Sequence, residues 1–255
     1  MGSRLVALIK ESTALTLVGA IEGKGHQALG QDAGEAAGVG KIGVPITDDL
    51  PLLLDRGEVV IDFSAPEATL AHLRTVAKHR RAMVIGTTGF DAAQLEELTS
   101  LARQVPCVCS PNMSVGVNLI CKVISEMATT LGEDYDIEVI EAHHRLKKDA
   151  PSGTALKIAE VLARAVNRDL NQVGVYGRKG LIGERKKQEI GIQTIRAGDI
   201  VGDHTILFGG MGERIEVTHR ASSRDTFARG ALRAARWVVK QPAGLYDMMD
   251  VLDLK

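Results

Sequence analysis

Between Glu141 and Thr154 the chain sets His143 and His144 side by side, follows them with Arg145, Lys147 and Lys148, and closes on Asp149-Ala-Pro-Ser-Gly-Thr. Histidine has an unperturbed pKa close to physiological pH, so a histidine pair can accept or deliver a proton. Neighbouring ammonium groups stabilise negative charge as it develops. The chemistry offered is proton transfer on an anionic compound. The same residue types also make an ordinary solvated turn, and composition alone favours that plainer reading. The helix start directly behind the cations brings the two readings level.

Two elements must position these groups. Asp136-Ile-Glu-Val-Ile140 alternates acidic and apolar residues, which predicts a half-buried strand with the histidines at its end. From Gly153 to Val166 the apolar residues recur at helical spacing, and Pro151 to Thr154 carries a helix-start signal. The first-turn N–H groups, with the Ser and Thr hydroxyls, would cradle a carboxylate at the positive end of the helix dipole. Ser152 is also an ordinary N-cap residue.

Upstream, the pattern predicts a helix over 4–10, strands over 15–21, 58–63, 82–86 and 105–109, and helices over 67–79 and 92–103. Strands alternating with helices imply a doubly wound parallel sheet. Ser64, Gly86-Thr87-Thr88 and Ser110-Pro111-Asn112 then fall at strand ends, on the carboxyl edge where such sheets bind ligands. After about Val115 the pattern changes to a helix, the strand before the histidines, the helix at 153–166 and three alternating runs at 190–197, 202–208 and 213–219. Consecutive strands suggest a mixed sheet in a second domain, and an amphipathic helix at 226–241 returns to the first. The fold class expected is α/β: a Rossmann-like doubly wound parallel sheet plus a second α+β domain with a mixed sheet. Gly180 to Lys187, rich in glycine and charge, is the expected mobile loop.

Composition narrows the function classes. Net charge is −1 with dispersed basic residues, and aromatics make up 3%, so neither a nucleic-acid footprint nor base-stacking platforms are expected. Cys107, Cys109 and Cys121 match neither a zinc site nor a disulfide framework, and no metal is expected. Cys107 and Cys109 flank Val108 in a strand, so both should face one side as small hydrophobes. No apolar run approaches the ~20 residues of a spanning helix and no signal segment opens the chain; a cytoplasmic location without membrane contact is expected.

Glu-Ala-His-His-Arg-x-Lys-x-Asp-Ala-Pro-Ser-Gly-Thr resembles the signature of the dihydrodipicolinate reductase family. The resemblance extends through Val60 to Pro66, Gly86 to Gly89, Ser110 to Asn118 and the ending Gly244 to Leu254. It implies NAD(P)H-dependent reduction of 4-hydroxy-tetrahydrodipicolinate, a cyclic dicarboxylate, to tetrahydrodipicolinate in diaminopimelate and lysine synthesis. It further implies that His143 gives or takes a proton, that Lys147 is the second proton donor, and that His144, Gly153 and Thr154 bind a substrate carboxylate, while Arg145 structures the turn. Gly86, Thr87, Thr88, Ser110, Pro111, Asn112 and Met113 resemble the loops around the nicotinamide. By the same resemblance residues 1–114 with 224–255 form the dinucleotide-binding domain, and residues 115–223 the substrate-binding and oligomerisation domain of a homotetramer that opens and closes about its hinges.

A dinucleotide-binding fold opens with a strand and a Gly-x-x-Gly-x-x-Gly turn. Met1-Gly2 looks like the tail of that turn, so the first strand and earlier glycines are absent from this sequence, and Met1 is the position nearest the pyrophosphate. A catalytically silent relative that keeps the substrate domain and oligomer interface is the competing reading. Glu22, ending the second strand, stands where an acidic residue accepts the adenosine ribose hydroxyls, or is simply an exposed strand-end carboxylate. Gly23 occupies the place where the family often has an arginine for a 2′-phosphate, and Lys24 offers only a point charge. NADH, or dual use of NADH and NADPH, is therefore expected.

Overall fold

The computed structural model describes residues 1–255, which divide into two compact units, Met1–Val115 with Asp225–Lys255, and Gly116–Arg224. In chain order the first unit begins with α1 (Gly2–Lys10), β1 (Ala20–Ile21), α2 (Ala33–Ala36), β2 (Ile46–Thr47), α3 (Pro51–Leu54) and β3 (Val59–Asp62). It continues with α4 (Pro66–Lys78), β4 (Ala82–Ile85), α5 (Ala92–Ala102) and β5 (Pro106–Cys109). The second unit carries α6 (Val115–Leu131), β6 (Asp136–His143), α7 (Gly153–Ala165), α8 (Leu170–Val173) and β7 (Gly174–Tyr176). Three longer strands follow, β8 (Ile190–Arg196), β9 (Gly202–Gly209) and β10 (Arg214–Ala221). The chain returns to the first unit as α9 (Asp225–Val238), β11 (Gly244–Tyr246) and α10 (Met248–Leu252).

The first unit is built on a four-stranded sheet ordered β11-β5-β4-β3, parallel throughout. Both faces are covered, so its central strand is a continuous apolar run: Ala82 and Val84 of β4 pack towards α1 and α9, Met83 and Ile85 towards α4 and α5. α9 approaches closely because its buried stripe is small, Ala228, Gly230, Ala231, Ala234 and Ala235. Cys107 and Cys109 both face the α4 and α5 side, and burial raises both thiols, Cys109 to about 11, which keeps them protonated and inert. The strand expected over 15–21 shortens to Ala20–Ile21, paired only with β2 in a separate two-stranded ribbon. Residues 15–19 make no backbone ladder bonds; an alternating pattern becomes a strand only where a neighbouring strand accepts its N–H and C=O groups.

In the second unit a five-stranded mixed sheet is ordered β10-β9-β6-β8-β7, with β6 antiparallel to β9 and parallel to β8. One face buries Ile137, Val139, Ile190, Ile192, Ile206 and Phe208 against α6 and α7. The opposite face mixes Glu138, Gln193 and Glu216 with Ile140, Ile195 and Leu207. Within the stretch 180–187, Leu181 and Ile182 are exposed while Arg185 is anchored, bonding Asp136 at 2.6 Å and the Ile137 and Glu189 carbonyls; Arg178, just before the stretch, makes a bidentate pair with Glu138. Arginine's planar fork satisfies several acceptors at once, which a glycine-rich composition does not reveal.

Candidate active site

The site grows out of a change in character along one face of the second unit's sheet. Successive inward residues of β6 are Ile137, Val139, Glu141 and His143; on antiparallel β9 they are Phe208, Ile206, His204 and Gly202. Register sets Glu141 opposite His204 on one side and opposite Thr194 on the other, and His143 opposite Arg196 of β8. The aliphatic core therefore ends in a buried polar cluster: Glu141 is 0% exposed, His204 4% and His143 8%. Buried polar groups persist only when hydrogen-bonded.

Glu141 is the hub. Oε1 accepts from Arg196 Nη2 at 2.9 Å and from the Ser152 N–H at 3.1 Å; Oε2 accepts from Arg196 Nη1 at 2.9 Å and lies 2.5 Å from His143 Nδ1. Burial pushes its pKa up, but the guanidinium, the imidazole and the N–H together outweigh burial and hold the carboxyl below its usual range. Ser152 caps α7 by accepting the Ala155 N–H at 3.1 Å, and its Oγ lies 3.3 Å from His204 Nε2. The His143 and His204 rings meet edge to face with centroids 5.3 Å apart. Burial, and then the neighbouring His143, lower His204 to about 4, so it is neutral at pH 7. Gly202 lies against His143 Nε2: a Cβ there would sit 3.0 Å from that nitrogen.

The cationic turn hangs from the end of β8. The Ala197 N–H donates to the His143 carbonyl at 2.9 Å, the Arg145 N–H to the Gly198 carbonyl at 3.1 Å, and the Lys147 N–H to the His144 carbonyl at 3.1 Å. His144 is half-buried and Arg145 exposed. Lys147 Nζ pairs with Asp149 at 2.9 Å, and Arg196 Nη2 also donates to the Asp149 carbonyl at 2.6 Å. Gly153 and Thr154 take the first two positions of α7, where helix geometry directs N–H groups outward and favours an anion. Cationic donors, a buried histidine whose Nδ1 is occupied, and a helix N-terminus are thus assembled from β6, β8, β9 and α7.

In the first unit the strand-end loops are anchored by Asp62, 4% exposed at the end of β3. It accepts from the Ser64 N–H and Oγ, from Thr69 Oγ1 at 3.1 Å and from Thr87 Oγ1 at 3.3 Å, and its other oxygen meets His72 Nδ1 at 2.6 Å. Burial raises its pKa, and His72 and Ser64 more than offset this, so it stays ionised. Thr87 is therefore turned inwards, an anchor whose hydroxyl is already engaged, and only its main chain and exposed Thr88 face the loop's outer side. Gly86 packs under the Phe63 ring, where a Cβ would fall 2.1 Å from a ring carbon. Ser110 Oγ donates to the Asn112 carbonyl at 3.0 Å, with Pro111 exposed beside it. The Met113 side chain is 1% exposed, in the core beneath α9. Glu22 is exposed after β1, and Met1 precedes the nine-residue α1. A parallel sheet's carboxyl edge, a helix N-terminus and an exposed strand-end carboxylate are a donor and acceptor set that fits a dinucleotide.

Sequence models described as "Dihydrodipicolinate reductase, N-terminus" and "Dihydrodipicolinate reductase, C-terminus" match residues 1–113 and 116–252. The chain belongs to the dihydrodipicolinate reductase family. The curated 4-hydroxy-tetrahydrodipicolinate reductase of Syntrophus aciditrophicus is 56% identical over 255 residues, covering 100% of this chain and 95% of that protein. The one from Syntrophobacter fumaroxidans is 57% identical, covering 100% and 96%. A dipicolinate-bound dihydrodipicolinate reductase from Paenisporosarcina sp. TG-14 shares the fold, with a TM-score of 0.73 at 24% identity over 98% of this chain and 94% of that one. Reductases of this family use NADH or NADPH, and the N-terminal half is the nucleotide-binding part.

For this reductase-family chain, motif reasoning passed over four residues of the cluster: Glu141, Ser152 as more than a cap, Arg196 and His204. One signal was present, since Glu141 and His143 are two apart on a strand and must share a face. Arg196 and His204 lie 55 and 63 positions from Glu141, and only sheet register brings them in.

Proposed function

We propose that the chain catalyses its relatives' reaction, in which 4-hydroxy-tetrahydrodipicolinate, NAD(P)H and a proton give tetrahydrodipicolinate, NAD(P)⁺ and water. The observation that carries this reading is the polar end of the second unit's core, where His143 is gripped at Nδ1 and followed within four residues by Lys147. Met1 at the start of α1, Glu22, the Gly86–Thr88 loop and the Ser110–Asn112 loop hold the dinucleotide, with Met113 contributing no more than main chain. When bound, the nicotinamide supplies hydride. His144 and the Gly153-Thr154 start of α7 take a substrate carboxylate. The Lys147 ammonium, steadied by Asp149, faces the charge that accumulates as electrons enter the conjugated imine left by loss of water, and Lys147 or His143 delivers the proton that quenches it.

The three thiols, all free and all with raised pKa, support a cytoplasmic setting, and no helix is long and apolar enough to cross a membrane. The partly apolar outer sheet face, with Ile195 47% exposed, supports assembly of the second unit into a homotetramer. His143→Gln and Lys147→Ala should each lower kcat by roughly 10²-fold or more while calorimetry still detects pyridine dicarboxylate binding. Unchanged turnover in both variants would remove His143 and Lys147 from the proton chemistry.

A further inference from the structure

The Glu141 carboxylate has four partners: two Arg196 nitrogens and the Ser152 N–H, which donate to it, and His143 Nδ1. An ionised carboxylate has about four lone-pair sites and no proton to give, whereas a neutral carboxyl would need an acceptor. Three of its four partners cannot serve, and those three hold the carboxyl ionised. The Arg196 nitrogens and the Ser152 N–H are donors only, which leaves His143 Nδ1 as the one atom whose role is open, and an acceptor-only neighbour requires that it carry a proton. A neutral His143 then keeps its lone pair on Nε2, the nitrogen that lies against Gly202. Arg196 is itself pinned, through Nη1 to the Ile195 carbonyl and through Nη2 to the Asp149 carbonyl, so the hub is held from β8 and from the turn before α7 together.

We propose that Glu141, locked by Arg196 and Ser152, is the positioning residue of the active site: it holds His143 in the tautomer with Nδ1 protonated and Nε2 directed to the substrate. The inference rests on the reading of His143 as a proton carrier. A carboxylate that orients a catalytic imidazole in this way does not itself change protonation during the reaction, and its conversion to an amide leaves the geometry but supplies the wrong tautomer. In Glu141→Gln either placement of the amide NH₂ opposes one Arg196 nitrogen; at the Oε2 position it also faces His143, making Nδ1 an acceptor and moving the proton to Nε2, whereas at the Oε1 position it also opposes the Ser152 N–H, donor against donor. The first arrangement costs less and reverses the tautomer.

The test uses ring-nitrogen NMR and steady-state kinetics on the full 255-residue chain, with His143→Gln used to assign the His143 signals. In the unmodified chain, neutral His143 should show a protonated Nδ1 and a bare Nε2. Glu141→Gln should reverse that pattern and lower kcat by roughly 10²-fold or more, with the KM for the dicarboxylate substrate within about threefold. A loss confined to KM or to thermal stability would make Glu141 a scaffold residue only and overturn the inference. An Nε2–H tautomer in the unmodified chain would overturn it too, and that measurement stands even if the variant does not fold. Full turnover by His143→Gln would instead defeat the proton-carrier reading, leaving the tautomer result to be judged by itself.

Discussion

His204 shows how the cluster sets the protein's response to acid. Its folded pKa of about 4 lies below the ordinary 6.5, lowered first by burial and then by His143. Below pH 6.5 the unfolded chain takes up a proton that the folded chain refuses, so stability falls as pH drops from about 6.5 towards 4 and levels off beneath it. At 1.36 kcal/mol per unit the loss between pH 7 and pH 5 is about 2 kcal/mol from this residue alone. Glu141 acts in a separate window: its folded pKa is depressed, so its contribution is complete above its ordinary 4.5 and is lost only as pH falls further. Urea unfolding at pH 7 and pH 5 should show the loss in the native chain and a much smaller one in His204→Gln; equal losses in both would place the acid sensitivity elsewhere. The sequence displays His143 and Lys147 because they stand in a dense local motif, whereas His204 and Arg196 sit in ordinary strand context. Their chemistry comes from Glu141 and His143, neighbours that only pairing with β6 supplies.

Elements long enough to show a period could be read from the chain. The alternation of β6, β9 and β10 and the helical spacing of α4, α7 and α9 each repeat several times, and burial follows that spacing. Two- and three-residue strands such as β2, β7 and β11 hold no period; each is defined by the partner it pairs with. The same dependence cut the expected strand at 15–21 to its last two residues. Close approach is likewise invisible until the elements pack. Gly230 of α9 lies so near β5's exit loop that a Cβ would come 1.7 Å from the Met113 carbonyl oxygen, with main chain on the other side of the clash. Gly230→Ala should therefore force α9 outward and cost at least about 2 kcal/mol in chemical denaturation. Native stability in that variant would mean that α9 can shift without loosening the small-residue stripe beneath it.

At the scale of the whole molecule, two units carry different sheets. A parallel sheet covered on both faces presents strand-end loops anchored on Asp62, a geometry suited to a dinucleotide. A mixed sheet covered on one face ends its core in Glu141, His143 and His204, a geometry suited to holding an anion and moving a proton. The family was readable from five ordered motifs, and the sequence models that match residues 1–113 and 116–252 agree with it. Cofactor choice was less legible, because Gly23 and Lys24 replace an arginine fork with a single flexible charge. The measurement that bears most directly on the account is oxidation of NADH and of NADPH by the purified chain, with and without freshly generated 4-hydroxy-tetrahydrodipicolinate. Oxidation should depend strictly on that substrate, with NADH at least as effective as NADPH. No substrate-dependent oxidation of either cofactor, by protein that is folded and binds the dicarboxylate, would contradict it.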